Sequence, residues 1–147
     1  MESKELKNII PIQSIWEDLD LLEDRLIEIS SSSDPYLTEI SQYLISAGGK
    51  RFRPLIALLA GKLGEGDNKK VIDAGVSVEL IHLGSLYHDD VIDDATTRRG
   101  VVSTNKQWNS TLAILAGDYL LARSSELAAE SLGLESVKLL ASTYAQL

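Results

Sequence analysis

No cysteine occurs among the 147 residues, which excludes disulfide staples, thiolate nucleophiles, zinc–thiolate sites and iron–sulfur clusters and fits a reducing cytosol. Cations are in short supply too. Fourteen Lys and Arg stand against 22 Asp and Glu, a formal net charge of −8, and that balance repels nucleic-acid phosphates in bulk. No apolar stretch approaches the ~20 residues needed to span a bilayer, and no apolar run with a cleavage site follows the charged N-terminus, so any membrane contact is peripheral. Strand alternation of useful length, internal repeats and a P-loop are all missing. What remains is 44% hydrophobic and 24% charged, the composition of one globular all-α domain over residues 1–147. A chain of this size buries roughly 70% of its unfolded surface.

Apolar residues at spacings of three and four, Ile12, Ile15, Trp16, Leu19, Leu22, Leu26 and Ile29, predict an amphipathic helix from Pro11 to Ile29. Ser30–Ser33 is a polar linker, and Asp34-Pro35 supplies an N-cap and a first-turn proline for a helix to Ala47, with Leu37, Ile40, Leu44 and Ala47 inward. Gly48-Gly49 ends it. After Lys50-Arg51-Phe52-Arg53, Pro54 opens a third helix whose apolar run Leu55–Ala60 predicts a buried central element. A loop at Gly64–Asn68 precedes a long helix from Lys69 to Thr97, closed by Arg98-Arg99-Gly100. Val101–Asn109 reads as irregular, a fifth helix spans Ser110–Ser131, and a sixth begins near Glu135 and runs to Leu147. Trp16 and Trp108 read as packing residues.

The chemistry concentrates in His88-Asp89-Asp90-Val91-Ile92-Asp93-Asp94, four carboxylates in six positions of an otherwise apolar helix. At roughly 100° per residue Asp89 and Asp93 share a face, and His82 falls about 20° from Asp89. A charge run alone is ordinarily a solvated face. Here apolar turns flank it, so the stripe opens on a cleft or an interface, and its hard oxygen donors suit Mg²⁺, which takes one or two carboxylates plus substrate phosphates. Lys50–Arg53 and Arg98-Arg99 add cations of the kind that bind phosphates, although each segment alone is equally explained by a helix C-terminus and its dipole. Together the clusters describe carboxylate-held Mg²⁺ and a cationic rim promoting departure of a diphosphate.

GGKRFRP at Gly48–Pro54, DDVIDDATTRRG at Asp89–Gly100 and LAGDYLLA at Leu115–Ala122 resemble, in order and spacing, motifs of the trans-type isoprenyl (polyprenyl) diphosphate synthases. The resemblance covers about residues 34–130, the N-terminal portion of that family's helical bundle. It implies ionisation of an allylic diphosphate, attack by the double bond of isopentenyl diphosphate, and loss of a proton, with Mg²⁺ as cofactor. It makes Asp89 and Asp93 the metal ligands and Asp90 a further catalytic carboxylate, with Asp94 supporting. Lys50, Arg53, His82 and Arg99 fall where the family binds isopentenyl diphosphate, and Arg98 where it holds the allylic one; Arg51 has no ligand role. A homodimer is implied as well, and the Leu112–Ala129 stretch with its small Ala and Ser residues suits close helix packing. Gly84 and Ser85, small residues just before the first aspartate, imply an open apolar tunnel and medium- or long-chain products.

The chain departs from the family pattern at Val102 and at Asn109-Ser110, and no second aspartate-rich motif follows: after Asp94 the acidic residues are Asp118, Glu126, Glu130 and Glu135. One carboxylate wall holds Mg²⁺ weakly, so the expectation is a fragment of a longer synthase with little or no activity alone. Two other readings stand beside it. One is a non-catalytic partner subunit dimerising through Ser110–Ser131; the other is a terpene-cyclase-like diphosphate lyase.

Overall fold

A computed structural model describes residues 3–64 and 66–146. Its helices are α1 (Ser3–Ile9), α2 (Gln13–Ser30), α3 (Pro35–Ser46), α4 (Phe52–Gly61), α5 (Asn68–Ile92), α6 (Thr104–Gln107), α7 (Ser110–Leu127) and α8 (Leu134–Tyr144), with a π turn at Ala128–Leu132 after α7. The all-α expectation holds. One feature departs from it: β1 (Thr97–Arg98) and β2 (Val101–Val102) form a two-residue antiparallel ladder.

The early elements follow the sequence signals. Along α2 the stripe Ile15, Trp16, Leu22, Leu26 and Ile29 is buried, and Trp16 Nε1 donates to the Ile10 carbonyl at 3.0 Å. Asp34 caps α3 by accepting from the Tyr36 N–H at 2.8 Å, with Pro35 in the first turn. Helix α4 starts at Phe52, two residues before Pro54, and only Pro54, Leu55 and Leu58 are buried along it; Phe52 and Ile56 face outward. The predicted central role of that helix therefore falls to α5. Helix α5 packs against α2, α4 and α7, and buries Ile72, Val76, Leu80, Leu83 and Tyr87.

Helix α5 ends at Ile92 and not at Thr97. Asp93 closes it, Asp94 takes a left-handed φ of 48°, and the Ala95 N–H returns to the Asp90 carbonyl at 2.9 Å. Arg98-Arg99-Gly100, expected to close a helix, instead turns the hairpin: Arg98 pairs with Val101, and both loop residues have positive φ, 53° at Arg99 and 80° at Gly100. That is the backbone of the tight hairpin turns whose twist matches paired strands. Within the segment read as irregular, α6 forms one short helix. Asn109, one of the departures, caps α7 by accepting from the Leu112 N–H at 2.9 Å. The fifth helix breaks into the π turn after Leu127, and α8 buries no residue and ends at Tyr144; Glu65 and Leu147 lie outside the described residues.

Two glycines set the distance between α5 and α7. A Cβ on Gly84 would stand 3.0 Å from the Gly117 carbonyl oxygen, and one on Gly117 would stand 2.5 Å from His88 Nε2. Gly84, read from sequence as opening a tunnel, is occupied by helix contact. Gly84→Ala should therefore destabilise by about 1–2 kcal/mol, overpacking against backbone outweighing alanine's better helix propensity. Gly64→Ala, with nothing within 4 Å of the new carbon, should change stability by less than ~0.5 kcal/mol. Paired urea unfolding curves check both.

Candidate functional site

The turn between α3 and α4 is built around a buried cation. Arg51 adopts left-handed backbone angles, φ 46° and ψ 38°, and its side chain is 4% exposed. Its Nε and Nη2 donate to the two oxygens of Glu23 on α2 at 2.5 and 3.0 Å, Nη1 donates to Glu79 on α5 at 3.1 Å, and Nη2 also reaches the Ile45 carbonyl at 3.2 Å. Burial disfavours this guanidinium, but Glu23 and Glu79 outweigh burial and raise its pKa. Arg99, from the hairpin loop, comes to the same place. It donates to the carbonyls of Leu44, at 3.0 Å, and Gly48, and lies 3.6 Å from Glu79. Both arginines thus cap carbonyls at the end of α3. Gly49 leaves room for both, since a Cβ there would lie 2.9 Å from Arg99 and 3.0 Å from Arg51 and would push their side chains aside.

Around this turn opens a cavity of ≈ 500 Å³ lined by Ala47, Gly49, Lys50, Arg51, Phe52, Arg53, Glu79, His82 and Arg99. The four residues Lys50, Arg53, His82 and Arg99, predicted from three separate segments, are therefore brought together. Burial first, then the charges of Arg53, Arg99, Arg98 and Arg51, push His82 down to about 4, so its imidazole is neutral at pH 7. Arg99 is lowered by burial and by Arg51. Glu79 is raised, chiefly by burial, with Arg51 and Arg99 pulling the other way.

The four aspartates divide. Asp89 and Asp93 are exposed, one turn apart, with the Asp93 N–H on the Asp89 carbonyl at 2.8 Å. Among the described residues neither carboxylate takes part in an ion pair or a side-chain hydrogen bond. No group of three His, Asp or Glu that could hold a metal converges among them either. Two free hard-oxygen donors fit a Mg²⁺ ion that draws its remaining ligands from water and phosphate. Asp94 pairs with Lys106 at 2.5 Å. Asp90 is fully buried, and its Oδ1 accepts from Arg98 Nε at 2.8 Å and Nη2 at 2.6 Å, so it holds the hairpin arginine beside the exposed pair. His88 turns the other way, to the Ile114 carbonyl and Asp118 on α7, each at 3.2 Å, in the space left by Gly117.

A second, mainly apolar cavity of ≈ 460 Å³ lies between α4, α5 and α8. Arg53 and His82 border both cavities, and Ser85, Ile56, Ile81 and Leu140 line the apolar one. Ser85 thus faces open apolar space, as its size suggested. Glu23 and Glu79 were not singled out in the sequence, although Glu79 stands three positions before His82 on an apolar helix, a spacing that puts both on one face.

The sequence model of the polyprenyl synthetase family matches residues 34–147. The nonaprenyl diphosphate synthase of Mycobacterium tuberculosis is 50% identical over 116 residues, 78% of this chain and 34% of that protein. The heptaprenyl diphosphate synthase component 2 of Bacillus subtilis is 43% identical over 111 residues, 76% of this chain and 32% of that protein. A crystal structure of a Caulobacter crescentus polyprenyl synthase, complexed with calcium and isoprenyl diphosphate, aligns with TM-score 0.83 at 32% identity, over 88% of this chain and 39% of that one. The chain spans about a third of the length of these curated relatives. Among the described residues no helix is long and apolar enough to cross a membrane.

Two measurements follow from the geometry. An unfolded histidine takes its proton near 6.5, so as pH falls from 6.5 toward 4 protonation favours the unfolded chain, and stability is lost in that window. His82→Gln should lose less stability than the parent between pH 7.5 and 5, and equal losses would contradict a buried neutral imidazole. Asp90→Ala should cost about 2 kcal/mol in urea unfolding through the lost charge-assisted hydrogen bonds, and no more, because Arg98, 31% exposed, can turn to solvent.

Proposed function

Because the chain belongs to the polyprenyl synthetase family, we propose that its site serves a Mg²⁺-dependent trans-prenyltransferase that condenses isopentenyl diphosphate with an allylic diphosphate into a medium- or long-chain polyprenyl diphosphate. One observation carries the reading: Lys50, Arg53, Arg99 and neutral His82 converge on one cavity, and about two turns further along α5 stands an exposed carboxylate pair without a side-chain partner among the described residues. In this reading the cationic cavity takes isopentenyl diphosphate. Lys50 offers a point charge and the arginines planar forks, while the neutral imidazole donates a hydrogen bond without adding charge.

Arg98, fixed by Asp90, takes the allylic diphosphate at the aspartate face. Asp89 and Asp93 would hold Mg²⁺, which supplies Lewis-acid neutralisation of the charge gathering on a departing diphosphate. The apolar cavity bordered by Arg53 and His82 receives the prenyl tail, with Ile81 and Leu140 offering it apolar surface. The calcium and isoprenyl diphosphate bound by the Caulobacter relative support a divalent ion and a diphosphate at this kind of site.

We place the working enzyme in the cytosol as a homodimer, joined through α7, whose Ile114 and Leu115 are exposed. A second reading, one component of a heteromeric synthase, is favoured by the similarity to a heptaprenyl synthase named component 2. With two free carboxylates and no second acidic cluster among the described residues, these 147 residues should bind diphosphate and turn over little.

Calorimetry with inorganic diphosphate should show binding that Mg²⁺ strengthens. The double variant Asp89→Asn with Asp93→Asn should lose that gain, about tenfold or more. Radiolabelled isopentenyl diphosphate, offered with farnesyl diphosphate, should yield at most a trace of prenyl product, abolished by EDTA. Diphosphate binding indifferent both to Mg²⁺ and to the aspartates would overturn the reading.

A further inference from the structure

Glu79 has no part in the reaction just proposed, yet among the described residues it is the single carboxylate lining the cationic cavity. Its side chain is 2% exposed. A buried anion in a pocket for anions carries two penalties, its own desolvation and repulsion of the ligand. Its surroundings show what offsets them. One oxygen, Oε1, lies 3.1 Å from Arg51 Nη1 and 3.6 Å from Arg99 Nη2, and the Nη1 atoms of both guanidiniums crowd the bare Cα of Gly49.

Two buried like charges so close repel unless a shared counter-charge lies between them. The other hydrogen-bond partners of Arg99 are neutral carbonyls, of Leu44 and Gly48, whereas Arg51 has Glu23 as well. Glu79 is therefore the only full negative charge within salt-bridge distance of Arg99 among the described residues.

We infer that Glu79 is a positioning residue: by bridging Arg51 and Arg99 it holds the Arg99 guanidinium in the wall of the cavity before a diphosphate arrives. Through Arg51 it also pins the left-handed turn from which Lys50 and Arg53 extend. The inference rests on the reading of the cavity as a diphosphate site.

The test uses this chain with Glu79→Gln, which keeps the shape and removes the charge, and Glu79→Asp, which keeps the charge on a shorter stem. In the ligand-free protein, NMR of the arginine side chains should show separate Nη proton resonances for Arg99, the mark of a guanidinium that cannot rotate, and in Glu79→Gln these should merge. Calorimetry with inorganic diphosphate should show affinity falling by about tenfold or more in Glu79→Gln, and the loss should vanish when Arg99→Ala is already present. Should Glu79→Gln fail to fold, Glu79→Asp carries both measurements, with merged resonances and an affinity several-fold lower. Unchanged Arg99 resonances would overturn the inference, as would diphosphate binding as tight as or tighter than the parent's, which simple removal of a repelling charge predicts. A parent chain that binds no diphosphate would count against the cavity's proposed ligand, while the ligand-free resonances still decide whether Glu79 holds Arg99.

Discussion

Asp73, Glu79 and Asp90 lie buried along α5, and a carboxylate taken out of water must find a cation or give up its charge. Each finds an arginine on another element. Asp73 accepts from Arg25 of α2 at 3.0 Å, Glu79 from Arg51 of the turn before α4, and Asp90 from Arg98 of the hairpin. The central helix is thus bonded by charge to three segments that flank it. Because the demand for a partner sits on the buried helix, arginines from distant parts of the sequence are drawn inward to its surface, and two of the three pairings lie at the candidate site.

The same logic explains how an acidic protein holds a cationic cavity. A net charge of −8 describes the whole chain, whereas among the described residues the cavity wall carries Lys50, Arg51, Arg53 and Arg99 against Glu79 alone. Burial amplifies that local imbalance, because charges partly removed from water are weakly screened. His82 registers the result: a neutral imidazole among guanidiniums, with protonation opposed both by its burial and by the charges around it. Neutrality there suits an arrangement in which arginines and lysine supply charge while the imidazole supplies direction.

Helix periodicity located the bundle well, because α2, α3 and α5 each bury residues at spacings of three and four. It failed where a single backbone dihedral decides. Nothing in the hydrophobic pattern separates Asp94 as a left-handed helix end from one more helical aspartate, and so the pattern carries the helix on to Thr97, where the hairpin begins. Leu55–Ala60 misled in another way, since an apolar run reports what a helix could bury and not what covers it; Ile56 faces out. The convergence of Lys50, Arg53, His82 and Arg99 was legible only through the resemblance of the motifs to a known family. The carboxylates that organise it were harder to see: Glu23 acts through a tertiary contact that leaves no periodic trace, and Glu79 shows only in sharing a helix face with His82.

Arg98 and Arg99 are adjacent in the chain, yet one reaches Asp90 on α5 and the other the last carbonyls of α3. The hairpin sends neighbouring side chains to different helices within a single peptide step. Covalent bonds hold only their Cα atoms, about 3.8 Å apart. The guanidiniums are set by their non-covalent partners, Asp90 for one and Glu79 with the α3 carbonyls for the other, so the separation of two anions that each meet one of these arginines follows the packing of α5 against α3. A two-residue turn thereby makes the spacing of a site report on how two helices sit against each other.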